Sequence, residues 1–466
     1  MPSIFDRVYG KSPVWMQQIG VSAYGLVWKR RRYGGDFKKK SIEFQSRDHF
    51  SANQWREYQT QALRRLLIHS YRHTPYYRDV FSQRRLDAEQ LQSFSLDDLI
   101  CLPLLEKNSI RTKPEQFVSK DANSKKLHSY LTSGTTGAPL AILSSDETDQ
   151  SVQAAYESRV RKWAGLDYKM SRAMIGGRLV VPHGGAAPPF WRYNIFERQL
   201  YLSAFHISPA NAPDYVKALN RFQPDYLVGY ASAHFFLARM IDELGLTVYQ
   251  PRAALTSSEK LTEDMRRQIE KVYRCEAFDG YSGVENCCLA SECEHHRMHI
   301  SPDVGIIEIV NELGEPVKTG EAGEIVATGF LNFDQPLIRF RTGDLAVLSD
   351  ASCPCGRNMP ILENIIGRLE DAVIGQDGRE TVRFHGIFVG LLGVREGQII
   401  QETTLDFRIR LAVDANFEKK EMDVIRKRFE DRLGSINLVF EFVNQIERTE
   451  RGKFRAIISH VKRGHS

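Results

Sequence analysis

Ser129-Tyr130-Leu131-Thr132-Ser133-Gly134-Thr135-Thr136-Gly137 is the stretch whose reading decides the fold. From Thr132 to Ala138, four hydroxyl side chains and two glycines fall within seven residues. Glycine lets backbone N–H groups turn toward an anion, and short hydroxyls donate further hydrogen bonds to it. The composition fits a phosphate cradle, although Ser, Thr and Gly also build ordinary surface turns. It is not the nucleotide loop G-x-x-x-x-G-K-[ST], because no Lys-Ser/Thr pair follows the second glycine.

Outward from the loop, residues 140–143 are expected as a short strand and 147–163 as a polar helix. Residues 174–181 read as a buried strand and turn. Further on, 214–222, 225–229, 233–244, 252–256, 262–273 and 275–278 alternate helix with short apolar strand, the pattern of an α/β domain with largely parallel sheets. Before the loop, apolar residues recur at helical spacing from Trp55 until Pro75 ends the pattern. The segment 182–191, with three prolines and the pair Phe190-Trp191, has a loop's composition.

A chain of 466 residues is long enough for two or three domains. Its 63 basic and 58 acidic side chains leave a net charge of +5, too slight to argue for nucleic acid. No apolar run reaches membrane-spanning length, and seven irregularly spaced cysteines suggest a reducing compartment, so cytoplasm is expected. Residues 1–50 form a basic and apolar extension in which Lys29-Arg30-Arg31-Arg32 follows an apolar stretch. In a secretory signal the charge comes first, so no cleaved leader is expected. The reading adopted is a helix packed on the protein's own surface. The alternative left open is a segment lying on anionic lipid at the inner face of the membrane.

Four further motifs follow the loop in order: Tyr281-Ser282-Gly283-Val284-Glu285, Arg339-Phe340-Arg341-Thr342-Gly343-Asp344, Gly367-Arg368-Leu369-Glu370-Asp371 and Arg451-Gly452-Lys453. Together with Ser133-Gly134-Thr135-Thr136-Gly137 they resemble the adenylate-forming superfamily, and more narrowly its phenylacetate-CoA ligase and CapK-like branch. The resemblance runs from about residue 50 to the end. It implies a large N-terminal α/β domain over 51–369, with mainly parallel sheets. A small, mobile α+β C-terminal domain over 370–466 carries the catalytic lysine.

Activating an acid with ATP requires a cradled triphosphate, a held magnesium, a fixed ribose and a cation at the reacting oxygens, where charge develops on the α-phosphoryl group. By resemblance, Thr132, Ser133, Gly134, Thr135, Thr136 and Gly137 cradle the phosphates, and Tyr281 and Ser282 sit at the adenine. Glu285 holds Mg²⁺, Asp344 and Arg368 hold the ribose, Glu370 marks the hinge, and Lys453 is the adenylation cation. Two positions depart from the family pattern: Ala138 replaces a usual lysine and Val284 a usual Ser or Thr. The loop 182–191 is expected on the acyl side.

Cys293 and His299 form C-x5-H, and Cys353 with Cys355 forms C-x-C. Three thiolates and an imidazole would complete a tetrahedral structural zinc site pinning two loops together, and CapK-like relatives carry a similar pattern; the alternative left open is reduced cysteines in loops with a solvated histidine cluster.

The reading that follows is ATP-dependent adenylation of a carboxylic acid, with transfer to an amine, sugar or thiol. The CapK-like resemblance implies a role in surface polysaccharide assembly. The first alternative is an aryl-acid CoA ligase of the phenylacetate type, with CoA as acceptor. A nucleotide-binding homologue without catalysis, an ATP-independent acyltransferase and a membrane-bound scaffold are the others.

Overall fold

The computed structural model describes residues 9–132, 140–178, 180–181, 188–368, 373–376, 380–381, 387–388, 391–449 and 454–461. Contacts divide the chain into two compact units, Met1–Thr342 with Ala346–Asn364, and Gly343–Leu345 with Ile365–Ser466. The boundary expected at 369/370 falls on residues outside the described set.

In the first unit, helices α1 (Val14–Tyr33), α2 (Phe37–Ser46) and α3 (Ala52–His73) lead to a two-stranded hairpin, β1 (His128–Leu131) and β2 (Ala141–Ser144). α3 begins with a capping box. The Ser51 hydroxyl accepts from Gln54 N, and the Gln54 side chain accepts from Ser51 N. Its buried face (Leu63, Leu66, Leu67) joins an apolar cluster with Phe81, Phe117, Ile142, Cys287 and Phe340. Helix α4 (Asp146–Tyr156), capped by Ser145, continues into a π-helical turn at Glu157–Arg161. The expected helix 147–163 is therefore interrupted by one wide turn.

The centre is a doubly covered sheet. β3 (Arg172–Gly176), β5 (Gln199–Ser203), β6 (Tyr226–Gly229), β7 (Ala253–Ser257) and β8 (Glu276–Ser282) are mutually parallel. Helices α5 (Ala212–Phe222), α6 (Ala231–Glu243) and α7 (Glu263–Tyr273) are the crossovers. β4 (Trp191–Asn194) closes that edge antiparallel to β5. Beyond β8 the order continues through β9 (Leu289–Glu292), β10 (Met298–Ile300) and the later strands β11 (Gly305–Val310), β12 (Ala322–Gly329), β13 (Phe340–Ser349) and β14 (Ile361–Arg368). The full order is β11-β12-β13-β14-β10-β9-β8-β7-β6-β3-β5-β4. The parallel strands are largely apolar and largely buried, most clearly Tyr226-Leu227 of β6 and Ala253-Ala254-Leu255 of β7. Gly229, at φ +146°, lets the chain turn out of β6; a Cβ there would lie 1.9 Å from Ile175 O.

Residues 9–50 do not form a separate extension. Gly25 of α1 lies so close to β4 that a Cβ would meet the Asn194 amide at 1.9 Å. Ser22 bonds the β4–β5 turn, and Arg31 pairs with Asp149 of α4. The opposite side of α1 is open, with Trp15 and Ile19 64% and 61% exposed and Leu26 and Val27 beside them.

In the second unit, described by itself, β15 (Val373–Ile374) pairs with β16 (Glu380–Thr381). A four-stranded sheet has the order β19 (Asn437–Phe442), β18 (Asp406–Val413), β17 (Val394–Gln401), β20 (Ile457–Ser459). Helix α8 (Lys420–Leu433) covers it, setting Ile425 and Phe429 against Phe407, Ile409 and Leu411.

Candidate active site and metal centre

The hairpin β1–β2 delivers the proposed cradle. Thr132 N donates to Leu140 O at 2.9 Å and Leu140 N to the Thr132 hydroxyl at 3.0 Å, so Thr132 closes the hairpin neck. Ser133, Gly134, Thr135, Thr136, Gly137 and Ala138 lie outside the described residues. Gln335 and Asn332 grip Leu143, and Asp334 holds Ser145 and Thr148. The neck is thereby fixed to the start of α4.

The strand expected to stop at Phe278 runs on to Ser282, correcting the placement of Tyr281 and Ser282 just after a strand. Antiparallel pairing with β9, Tyr281 opposite Ala290 and Ser282 opposite Leu289, extends it. Glu285 sits in the turn between β8 and β9, not at a helix start. Its carboxylate folds over Gly283, where a Cβ would lie 2.2 Å from Oε2, and among the described residues none hydrogen-bonds it. Val284 has a physical reason: with Tyr281 it packs on the apolar cluster that includes Cys287 and Cys288. The Ser282 hydroxyl meets the Tyr156 hydroxyl of α4.

Asp344 lies on β13, partly buried, and groups with the second unit. Arg368 ends β14; nothing is described of its side chain. Glu370 and Lys453 lie outside the described residues. Of the flanking residues, Arg455 O accepts from the Gln398 amide of β17 at 2.8 Å. Arg339 and Arg341, which look like a charged turn in the sequence, are structural. Arg339, at φ +49° and 3% exposed, binds Glu308 and the carbonyls of Ile100, Leu102 and Gly314. Arg341 binds Glu324 and Glu106. In the loop 182–191, Phe190 is core, stacked 5.0 Å from His206, and Trp191 packs on Phe222.

Cys293, His299, Cys353 and Cys355 converge, with one ligand atom of each lying within 4.8 Å of the others. Cys293 Sγ is 3.6 Å from Cys353 Sγ, and Cys355 Sγ is 3.3 Å from His299 Nε2. A zinc tetrahedron with Zn–S of about 2.3 Å has edges of roughly 3.5–3.8 Å, so the spacing fits with slight adjustment. His299 Nδ1 faces Met359 O at 3.4 Å, which leaves Nε2 as the ligand nitrogen. Burial holds the His299 imidazole below its ordinary value, in the neutral form a metal takes. Trp55, Trp163 and Met359 pack around the cluster. His296, between the first two ligands in sequence, is elsewhere, stacked on Phe278 and bonded to Arg266.

Two groups escaped the sequence reading. Asp279, one strand position before Gly280, accepts from Thr256 and Leu261 N and faces Glu292; burial, then Glu292, pushes its carboxyl up to about 7. Arg32 and Arg161 lie close enough for their charges to act on Tyr156, and Arg178 lies beside Arg32; only the helix period of α1 hints at this.

A model of the CapK C-terminal domain matches residues 376–460. The chain is 26% identical to Protein CapK of Staphylococcus aureus over 469 residues, covering 98% of this chain and 100% of that protein. It is 25% identical to a phenylacetate-coenzyme A ligase of Thermus thermophilus over 68% of this chain and 71% of the ligase. Among solved structures, a 2-hydroxyisobutyryl-CoA ligase in the postadenylation state, in complex with R3-HIB-AMP, superposes with TM-score 0.69 at 19% identity, covering 89% and 91% of the two chains. The family resemblance carried by the motifs and the α/β fold class are both borne out.

Proposed function

We propose that this chain is an AMP-forming acid ligase. A carboxylate attacks the α-phosphorus of ATP, pyrophosphate leaves, and the acyl-AMP passes to an amine, a sugar or CoA. The observation that carries the reading is the position of Tyr281, Ser282 and Glu285. They stand at the carboxyl end of β8, the last of the parallel strands, where α/β sheets bind ligands. Similarity to a phenylacetate-coenzyme A ligase over 68% of this chain supports the same chemistry.

In this reading Ser282 and Tyr281 orient the nucleotide base, and the hairpin neck at Thr132 presents the phosphate loop. Asp344 and Arg368 accept and donate at the ribose. Lys453 brings an ammonium to the carboxylate and phosphoryl oxygens as charge builds. Glu285, a hard oxygen donor with no described partner, fits Mg²⁺, which would neutralise phosphate charge. Cys293, His299, Cys353 and Cys355 fit a structural Zn²⁺, which would tie the 353–357 turn to the β9–β10 hairpin.

The acceptor reading favoured is an amine or sugar in surface polysaccharide assembly, on the CapK resemblance; CoA is the alternative, on the phenylacetate ligases. No described helix is long and apolar enough to cross a membrane. The open side of α1, with Lys29 and Arg30 at one end, supports peripheral contact with anionic lipid.

ATP–pyrophosphate exchange against a panel of aryl, amino and uronic acids tests the function. At least one acid should support exchange, and Lys453→Ala should abolish it while ATP binding persists. Exchange with none of them, or at the wild-type rate in the variant, would sink the assignment.

A further inference from the structure

α4 and the sheet face below it enclose a layer unusually rich in guanidinium groups. Arg172 enters from β3, Arg161 from the π-helical turn, Arg32 from α1, and Arg178 from just past the end of β3. Two carboxylates serve these four cations. Glu197 binds Arg172 at 3.0 Å and is also engaged by Asn194 and Tyr201, while Glu157 lies 3.4 Å from Arg161. Among the described residues, no carboxylate pairs with Arg32 or Arg178. Arg178 donates to the Tyr201 hydroxyl at 3.2 Å and lies 5.1 Å from the Trp28 ring centroid; Arg32 lies 4.1 Å from the same centroid.

Magnitudes decide what this means. A ring face contributes about 0.5–2 kcal/mol to a cation. Withdrawing a guanidinium from water costs several kcal/mol. Arg32 and Arg178 are only partly withdrawn from water, so part of that cost applies, and the aromatic rings supply no negative charge to balance it. The potential registers on Tyr33, whose hydroxyl accepts from Arg161 at 3.3 Å. Burial pushes that phenol up, yet the charges of Arg161, Arg172 and Arg32 outweigh it and the net shift is downward. Burial and the charge of Arg178 hold Arg32 below its ordinary value.

The layer is also open. Met174 and Val228, paired neighbours at the middle of β3 and β6, stay partly accessible between buried strand neighbours, as do Arg32, Arg178 and Tyr156. Tyr156 joins this space to Ser282 through their hydroxyl contact. That contact links the guanidinium layer to the end of β8, the position given above to the nucleotide in the ligase reading.

We propose that Arg32 and Arg178 form an anion subsite, and that the acid taken by this enzyme carries a second negatively charged group, a carboxylate or a phosphate, which these guanidinia bind. The substrate class is a dianionic organic acid. That identification rests on the ligase reading above, whereas anion binding at the subsite does not.

The test has two arms, both on the full chain. Without ATP, calorimetry measures glutarate, inorganic phosphate and the monoanion butyrate against wild type, Arg178→Met, Arg32→Met and the conservative Arg178→Lys. Glutarate or phosphate should bind wild type in preference to butyrate, and each Met variant should weaken that binding about 10- to 100-fold, the range of a charge-assisted hydrogen bond. Arg178→Lys should retain part of it and show that the site still folds. With ATP, pyrophosphate exchange compares glutarate and 3-phosphoglycerate with butyrate, and the Met variants should lower the dianion-to-monoanion ratio by the same factor. A response to glutarate alone identifies a second carboxylate, and to the phosphate compounds alone a phosphorylated acid. Arg-dependent anion binding with no exchange on any acid would refute the ligase reading and leave the subsite standing. Absence of dianion preference in wild type, or equal binding by wild type and both Met variants, overturns the subsite.

Discussion

Arg159 is the buried hinge-pin of the first unit, and replacing it by Met should be costly. Its side chain is 0% exposed. One arm of the guanidinium meets Asp48, between α2 and α3; the other donates to Asp303 at 2.9 Å. Trp163 Nε1 donates to Asp48 at 3.0 Å, and Arg47 donates to Asp303 at 2.8 Å. Met fills most of the volume but leaves Asp48 and the wholly buried Asp303 short of a cation. Breaking such a pair costs about 3–5 kcal/mol. Arg47 still faces Asp303, so the lower end applies, a fall in melting temperature of roughly 4–10 °C. Differential scanning calorimetry on wild type, Arg159→Met, Asp303→Asn and the double variant gives the coupling. The double variant should lose less than the sum of the singles, because the uncompensated charge has gone. A single variant melting within about 1 °C of wild type would refute the network.

Three further outcomes can be checked. Cys355→Ser should bind substoichiometric zinc by metal analysis and melt several degrees lower, and chelator treatment of wild type should lower it similarly; metal-free wild type with an unchanged melt ends the zinc reading. Burial, then the charge of Glu292 of β9, raises the Asp279 carboxyl, with Arg266 of α7 and His296 of the β9–β10 turn around Glu292. Its pKa of about 7 in the folded chain lies above the ordinary aspartate value of 3.8, so its contribution is full below about pH 4 and lost as pH rises through 7. Asp279→Asn should flatten the fall in stability between about pH 4 and 7, by up to about 1.4 kcal/mol per pH unit; an unchanged pH profile counts against it. Vesicles rich in phosphatidylserine should co-float the wild-type chain, zwitterionic vesicles should not, and Ile19→Asp with Leu26→Asp should abolish flotation; flotation unaffected by the charges would show that α1 is not the contact.

What the sequence made legible was local. The βα alternation from residue 212 to 282 appears as expected because each element carries its own period and its own stop signals. Cys293, His299, Cys353 and Cys355 were legible as a candidate metal set because thiol and imidazole chemistry is distinctive even when 60 residues separate Cys293 from Cys353. The end of β8 was misplaced for a non-local reason: Gly280 and Gly283 look like punctuation, but β9 pairs with the strand through Ser282. Arg339 looks like part of a charged turn, and only the carbonyls of Ile100, Leu102 and Gly314 around it make it a core residue.

The basic run at the end of α1 is the most instructive case. Read as a block, Lys29-Arg30-Arg31-Arg32 is a solvated charge cluster, yet 100° per residue sends its members in different directions. Lys29 bonds Phe196 O, Arg30 stays in water, Arg31 pairs with Asp149, and Arg32 turns in over Trp28 toward Arg178. The same rotation leaves Trp15, Ile19 and Leu26 on the outer side. One helix therefore presents an apolar, basic-tipped face outward and a cation inward, fixed on β4 by the close approach at Gly25. A solvated tail would have no reason to bury a guanidinium beside another one. The packing of α1 on β4 and α4 is what holds Arg32 beside Arg178, the arrangement that the proposed anion subsite would use.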